Sequence, residues 1–427
     1  MRPPLLALVA VGVMVLAGQG ARPADAASQV ILVTTPDDVV DAADDLMSLR
    51  EAIDLANATA GDDVVDLGGR TAVLGVCDQD EGGPYDEDAN VHGDLDVNDG
   101  SGDLTIMNGV VEQRCEIQRV LDVNVATALE LRDVTVTGGE MFRPGGGIAS
   151  AGPLLLIDAT VTGNDGEAGG GVYGTVVVVR RSSITDNHAS GIGFGGGGIL
   201  ATQEVHVTDS VVSDNTVGWW GNGGGLRAPD VVLRRSTVSH NETTGRGASG
   251  GGVWAGRTAL VVDSTISDNR STYSFRFPDD PPEPDMTGGL DVRGSLDVSR
   301  STIVRNESLG VANISVYGPF RAGASVIGER RGSGGSCRAR GAVSSGGYNV
   351  VSVGGRCGLG AGTGDRVRQP QLDLRPLADN GGLGPTHLPI GHRLSIIPVG
   401  SCGAAADQRG APRPQGRSCE AGAVEVP

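Results

Sequence analysis

Through most of the chain, aliphatic residues alternate with polar ones in short runs, and the runs fall into register with one another. One inward row reads Leu131, Leu156, Val179, Val207, Leu233, Val261 and Val298. Alternation with period two puts successive side chains on opposite faces of an extended chain, so these runs predict strands. Triple glycines followed by an aliphatic residue recur with the last glycine at 147, 171, 198, 225 and 252, and a weaker TGGL form ends at 289. A second signal runs in phase: DATVTGN, RSSITDN, DSVVSDN, RSTVSHN, DSTISDN and RSTIVRN, closing on Asn164, Asn187, Asn215, Asn241, Asn269 and Asn306. In both series the last interval lengthens to 37 residues, which locates an insertion of about ten residues between Arg270 and Met286.

A repeat of roughly 25 residues with two or three short strands cannot bury its own apolar face, but a stack of such repeats can. The predicted unit is therefore one turn of a parallel β-helix, in an all-β chain. Leucine-rich repeats are excluded because their Leu-x-x-Leu-x-Leu signature is absent. The asparagine row is expected at a turn, where Asn tolerates left-handed backbone geometry and amides repeated once per coil can bond to one another.

A coil stack exposes apolar core and strand edges at both ends, so each end should be covered. The N-terminal candidate is MSLREAIDLANA, in which Leu49, Ile53 and Leu55 cluster on one helical face behind Ser48, with Glu51 completing a capping box. The C-terminal candidate begins at about Gly341, where the repeat is lost and Pro, Gly and Arg rise. The expected organisation is a signal peptide over 1–26, an N-terminal strand and capping helix over 27–75, β-helix repeats over 76–340 and a C-terminal module over 341–427. The signal peptide rests on a positive start at Arg2, an apolar run from Leu5 to Ala17 and the small-x-small site Ala24-Asp25-Ala26. No later stretch is apolar enough to span a bilayer, so a protein exported from the cytoplasm, secreted or at the cell surface, is expected.

Composition narrows the function. With 33 basic residues against 52 acidic ones, the formal charge is -19, which disfavours nucleic acid as a partner. Every basic residue is Arg, so lysine nucleophile and Schiff-base chemistry is excluded. The six cysteines contain no CxxC pair and suit disulfides. Of 15 pairings, joining sequence neighbours is expected: Cys77 with Cys115, Cys337 with Cys357, and Cys402 with Cys419. A monomer is expected.

Three stretches carry a resemblance. TTPDD with MSLREAIDLANA resembles the CSLREA motif of bacterial secreted β-helix proteins, with Met47 where that motif has Cys. The central coils resemble the polymorphic outer-membrane-protein and pectin-lyase-like right-handed β-helix families. GYNVVS, PLADNGGLGPTHLP, DQRGAPRP and CEAGAVE resemble the choice-of-anchor Q domain. The resemblance implies a right-handed, pectin-lyase-like solenoid at a bacterial surface or outside the cell, with no established activity, since the fold hosts enzymes, adhesins and passive surface proteins. Members of the choice-of-anchor group usually continue into a sorting or membrane signal, whereas here CEAGAVE lies just before Pro427, so covalent anchoring is not expected. HRLSIIPVG also departs from the family pattern, and no residue roles carry over there.

Four groups of residues compete for chemistry. The residue before the turn Asn reads Gly163, Asp186, Asp214, His240, Asp268 and Arg305. Stacked carboxylates at Asp186, Asp214 and Asp268, with His240 and an Arg such as Arg246, would suit a lyase or glycoside hydrolase; local turn hydrogen bonds are the plainer reading. The aromatics are scarce, 13 in all, and seven fall in the loops before the triple glycines: Phe142, Phe194, Trp219, Trp220, Tyr273, Phe275 and Phe277. Tyr173 and Trp254 follow the glycines at outward positions, so nine rings are expected on one flank, where they suit the apolar faces of sugars or pack under their own loops. Tyr173, Phe194, Trp219, Trp220, Trp254 and Tyr273 are the carbohydrate candidates. From Asp78 to Asp99 nine of 22 residues are acidic, giving either a calcium site or a solvated loop closed by Cys77 and Cys115. The Asp-Asp pairs beginning at 37, 44, 62 and 279 are expected to be solvated surface. No other metal and no organic cofactor is expected. The leading function is a rigid face for a polysaccharide or surface glycan.

Overall fold

The computed structural model describes residues 28–77, 95–97, 102–124, 126–191, 193, 195–218, 220–245, 247–272, 286–391 and 393–426. The signal segment and most of the acidic stretch lie outside them. The described residues form an all-β parallel solenoid of about nine turns, with a single helix at Leu49–Ala58. The row predicted to face inward pairs coil by coil as Leu131, Leu156, Val179, Val207, Leu233, Val261 and Val298. Each of these side chains is fully buried.

The two phased sequence signals prove to be one device. Each turn asparagine is buried, and its Nδ2 donates to Oδ1 of the next at 2.9 Å, from Asn164 through Asn187, Asn215, Asn241, Asn269 and Asn306 to Asn313. A Cβ on Gly198 would lie 2.9 Å from the amide carbon of Asn215, so the last glycine of the triplet leaves the space that the amide occupies. Left-handed geometry falls on the residue before the asparagine: φ is 56° at Asp186, 59° at Asp214, 58° at His240 and 60° at Asp268. The asparagine keeps ordinary backbone geometry, with its side chain committed to the ladder.

Two further ladders run beside it. Ser182, Ser210, Ser236, Ser264, Ser301 and Ser325 each accept a backbone N–H from the preceding coil at 3.0–3.2 Å. At the neighbouring corner, Arg181 pairs in bidentate fashion with Asp158, Arg235 with Asp209, and Arg300 with Asp263. The first letter of the second signal alternates D, R, D, R, D, R because these side chains alternate in charge up the stack.

The helix lies over the first coils and has the capping box, Ser48 Oγ accepting from the Glu51 N–H while the Glu51 carboxylate accepts from the Ser48 N–H. Its buried face is Leu49, Ala52, Ile53 and Ala56; Leu55, expected on that face, is turned outward, because the 3.6-residue period carries position 55 away from 49 and 53. In two of the Asp-Asp pairs the second member is also not solvated, while Asp37 and Asp62 are exposed as expected. The Asp38 side chain is covered by Arg50 at 2.8 Å and accepts the Gly75 and Val76 N–H groups, while Asp63 is buried and accepts from Gln29 and Thr59. Their charges are answered by backbone donors that sequence spacing does not reveal. The pair at 279 lies outside the described residues.

At the other end, the segment after 370 runs back along the outside of the solenoid over the threonines of three successive coils. Thr237 donates to the Pro385 carbonyl and accepts from Gln408 Nε2, both at 2.8 Å, Thr265 donates to Gln408 Oε1 at 2.7 Å, and Thr302 accepts the Ala423 N–H at 3.0 Å. A buried Arg413–Glu425 pair at 2.6 Å holds the segment together, with Asp407 accepting the Glu425 N–H. The motifs DQRGAPRP and CEAGAVE therefore build the clasp. The disulfides are Cys77–Cys115, Cys337–Cys357 and Cys402–Cys419, as expected from sequence.

Candidate carbohydrate-binding face

One outward column runs the length of the stack. Strand register places Asp96, Asp122, Ala149, Tyr173, Leu200, Arg227, Trp254, Asp291, Ser315 and Arg338 on it in order. Neighbours are about 4.8 Å apart along the axis, the spacing of hydrogen-bonded strands. Asp96, Asp122, Ala149, Asp291 and Ser315 are covered and buried, whereas Tyr173, Leu200, Arg227, Trp254 and Arg338 are partly open to solvent.

Its middle holds a groove of about 580 Å³ across three strands, Ile199–Thr208, Leu226–Arg234 and Val253–Val262. Leu200, Arg227 and Trp254 form its wall, and Thr202, Gln203, Pro229 and Arg257 its other lining. The groove exists because the strands do not match residue for residue. Register shifts occur between Leu200 and Glu204 and between Ala228 and Asp230, where one strand carries an extra residue and bulges. Pro229 sits on the shorter middle strand, opposite the bulges of both neighbours, where the ladder is interrupted and its missing N–H costs no bond.

Trp254 is half-buried, and the Arg227 guanidinium stacks over its ring at 4.8 Å. Gly256 makes room for that ring: a Cβ there would lie 3.2 Å from Trp254 Cζ3. The Trp254 Nε1 proton is buried and meets no acceptor among the described residues. Arg227 donates to the Gly193 carbonyl at 3.4 Å, and burial pushes its pKa down. Arg257 is held by Asp230 at 2.5 Å, and Asp230 also accepts from Thr258. The result is an apolar ring beside fixed polar groups, a combination that takes the apolar face of a sugar and bonds its hydroxyls.

Of the other ring candidates, Tyr173 stands two coils before Arg227 on the same column, half-buried. Trp220 and Phe142 are exposed, at 52% and 55%. Phe194, Trp219, Tyr273, Phe275 and Phe277 lie outside the described residues.

The acidic row does not form a constellation. Asp186, Asp214 and His240 are exposed turn residues whose side chains make no hydrogen bond or ion pair among the described residues, and Arg246 lies outside them. Asp268 alone is covered, where Ser267 Oγ donates to it at 2.7 Å, Arg331 pairs with it at 2.6 Å, and His387 of the clasp stands 4.0 Å away. These partners are unlike those of its neighbours in the row, and the shared feature is the left-handed turn.

A different carboxylate pair joins Asp96, near the end of the acidic stretch, to Asp122 beyond it. Asp96 and Asp122 are adjacent on the outward column and both buried, and Arg119 Nη1 donates to Asp122 at 2.6 Å. Burial, reinforced by Asp122, pushes Asp96 up to about 6, and burial also raises Asp122. The tripeptide LDV occurs at 95, 121, 290 and 296, each time in a strand; the first three place their Asp on this column, whereas Asp297 pairs with Leu260 and Arg321 on another row. Among the described residues no group of His, Cys, Asp and Glu converges as a metal site, and no helix is long and apolar enough to cross a membrane. The chain matches no protein-family model and no curated protein.

Proposed function

We propose that the protein is a secreted or cell-surface β-solenoid whose outward strand face binds carbohydrate, in an adhesive or structural role, with the Leu200–Arg227–Trp254 groove as its principal contact. The observation that carries this reading is Trp254 itself: a ring on a rigid strand, braced by a guanidinium and walling a groove with Thr202, Gln203 and Arg257 beside it. One ring stacked on a sugar contributes about 1–2 kcal/mol, at about 25 cal/mol per Å² of apolar area removed from water. Tyr173 and Trp220, with the loop rings Phe194, Trp219 and Tyr273, are proposed as outlying contacts for a long chain. Three disulfides support a location in an oxidising compartment, consistent with export through the 1–26 segment. The test is a panel of polysaccharides scored both for binding and for new chain ends. Binding without cleavage is expected, weakened in Trp254→Ala; cleavage of any bound polysaccharide would replace this reading with an enzymatic one.

A further inference from the structure

We infer that the groove selects glycans carrying an anionic substituent, a carboxylate or a sulfate, and that Arg227 is the residue that reads it. This rests on the groove being a glycan site and adds the chemical class of the glycan.

The reason lies in the contrast with arginines that are paired or fully solvated: Arg180 and Arg234 are exposed to water, whereas Arg227 is half-buried. Arg257 is paired with Asp230, Arg293 with Asp291, and Arg181, Arg235 and Arg300 with the aspartates of the corner ladder. Among the described residues Arg227 has no carboxylate partner; its contacts there are the Gly193 carbonyl at 3.4 Å and the face of Trp254. Acids are not in short supply, since the chain has 52 of them against 33 arginines. A half-buried cation without a counter-ion is costly to hold, and here burial is the cause that depresses its pKa.

A guanidinium offers five N–H donors in a planar fork that matches a carboxylate or sulfate. Gly193 takes one, and the ring takes the face of the fork, leaving the remaining donors for a ligand. A diffuse attraction for polyanions does not explain such a site, because a chain of charge -19 repels them at long range. Selection has to be local, between the fork of Arg227 and one charged group on a sugar seated against Trp254.

The full chain is titrated with matched pairs of polymers: hydroxyethyl cellulose against carboxymethyl cellulose, and dextran against dextran sulfate. The parent is expected to bind a charged member at least ten-fold more tightly than its neutral counterpart, and added salt should reduce that preference. Arg227→Met should abolish it, whereas Arg181→Met, which removes the same charge from the corner ladder, should keep it. Preference for the carboxymethyl polymer alone or the sulfated polymer alone identifies which anion is read, and either supports the inference. Equal binding of neutral and charged members, or a preference that survives Arg227→Met, overturns the inference while leaving glycan binding in place. Failure of the parent to bind any of the four, or binding untouched by Trp254→Ala, overturns the glycan reading and the inference with it.

Discussion

Asn215→Ala should cost about 3–5 kcal/mol of stability, because one buried amide serves three coils at once. Its Nδ2 donates to the carbonyls of Ile184 and Ser213 and to Asn241 Oδ1, each at 2.9 Å, and its Oδ1 accepts the Asn187 N–H at 3.0 Å and the Asn187 amide at 2.9 Å. Truncation strands the buried Asn187 N–H, at about 1–3 kcal/mol, and removes at least two more buried bonds worth about 1 kcal/mol each. The loss is large beside a typical total stability of about 5–15 kcal/mol. Asn215→Asp separates this account from simple loss of volume. It keeps the acceptor but turns a second oxygen toward three acceptors, so it should destabilise more than Ala despite matching Asn in size. Guanidinium unfolding followed by circular dichroism reads both, with the coil-localised loss resolved by hydrogen exchange, since a stack of repeats can unfold in stages. If both variants fall within about 0.5 kcal/mol of the parent, the asparagine ladder does not hold the coils together.

Two other outcomes follow from the ends of the stack and from its buried acids. Leu49→Asp with Ile53→Asp should lift the helix from the first coils and cause self-association, read by sedimentation, because both side chains are buried against the core; a monomer with an unchanged melting curve would show that the helix is no cap. Raising the pH from 5 to 9 should lower the melting temperature, because Asp96 is pushed up to about 6 by burial and by Asp122, and Glu425 up to about 8 by burial and by its bond to Glu420. A raised carboxyl binds its proton more tightly folded than unfolded, so its contribution is complete below the unfolded value and lost as pH rises through the folded one. Asp96→Asn should flatten the curve below about pH 6, and Glu425→Gln the part up to about pH 8; a melting temperature that climbs across this range would contradict both assignments.

The coil stack was legible because its signals are local and repeat: alternation set the inward row, and the glycine and asparagine series set its period. Disulfide pairing was legible for the same reason, since neighbours in sequence close their own loops. What the sequence concealed depends on register between coils. Leu200, Arg227 and Trp254 are 27 residues apart in succession, yet become neighbours only when strand follows strand in parallel. Asp96 reads as part of an acidic loop and Asp122 as an isolated acid until the LDV strands align them. The bulges that open the groove arise from one-residue differences between strands, which a period of about 27 absorbs without trace. Thr237, Thr265 and Thr302 looked like ordinary strand residues, and only the returning C-terminal segment gives them partners.

Calorimetric titration of the parent, Trp254→Ala and Trp220→Ala with one bound polysaccharide tests the central claim most directly. Trp254 stands in the groove wall beside Arg227, whereas Trp220 is an exposed loop residue. Loss of one stacked ring at about 1–2 kcal/mol corresponds to a weakening of about five- to thirty-fold, so Trp254→Ala should lose affinity by that factor with an unchanged melting temperature. Trp220→Ala should lose less. Equal affinity for parent and Trp254→Ala, or a Trp254→Ala protein that melts well below the parent while the parent itself binds no polysaccharide, would show that the ring is packing and not a binding surface.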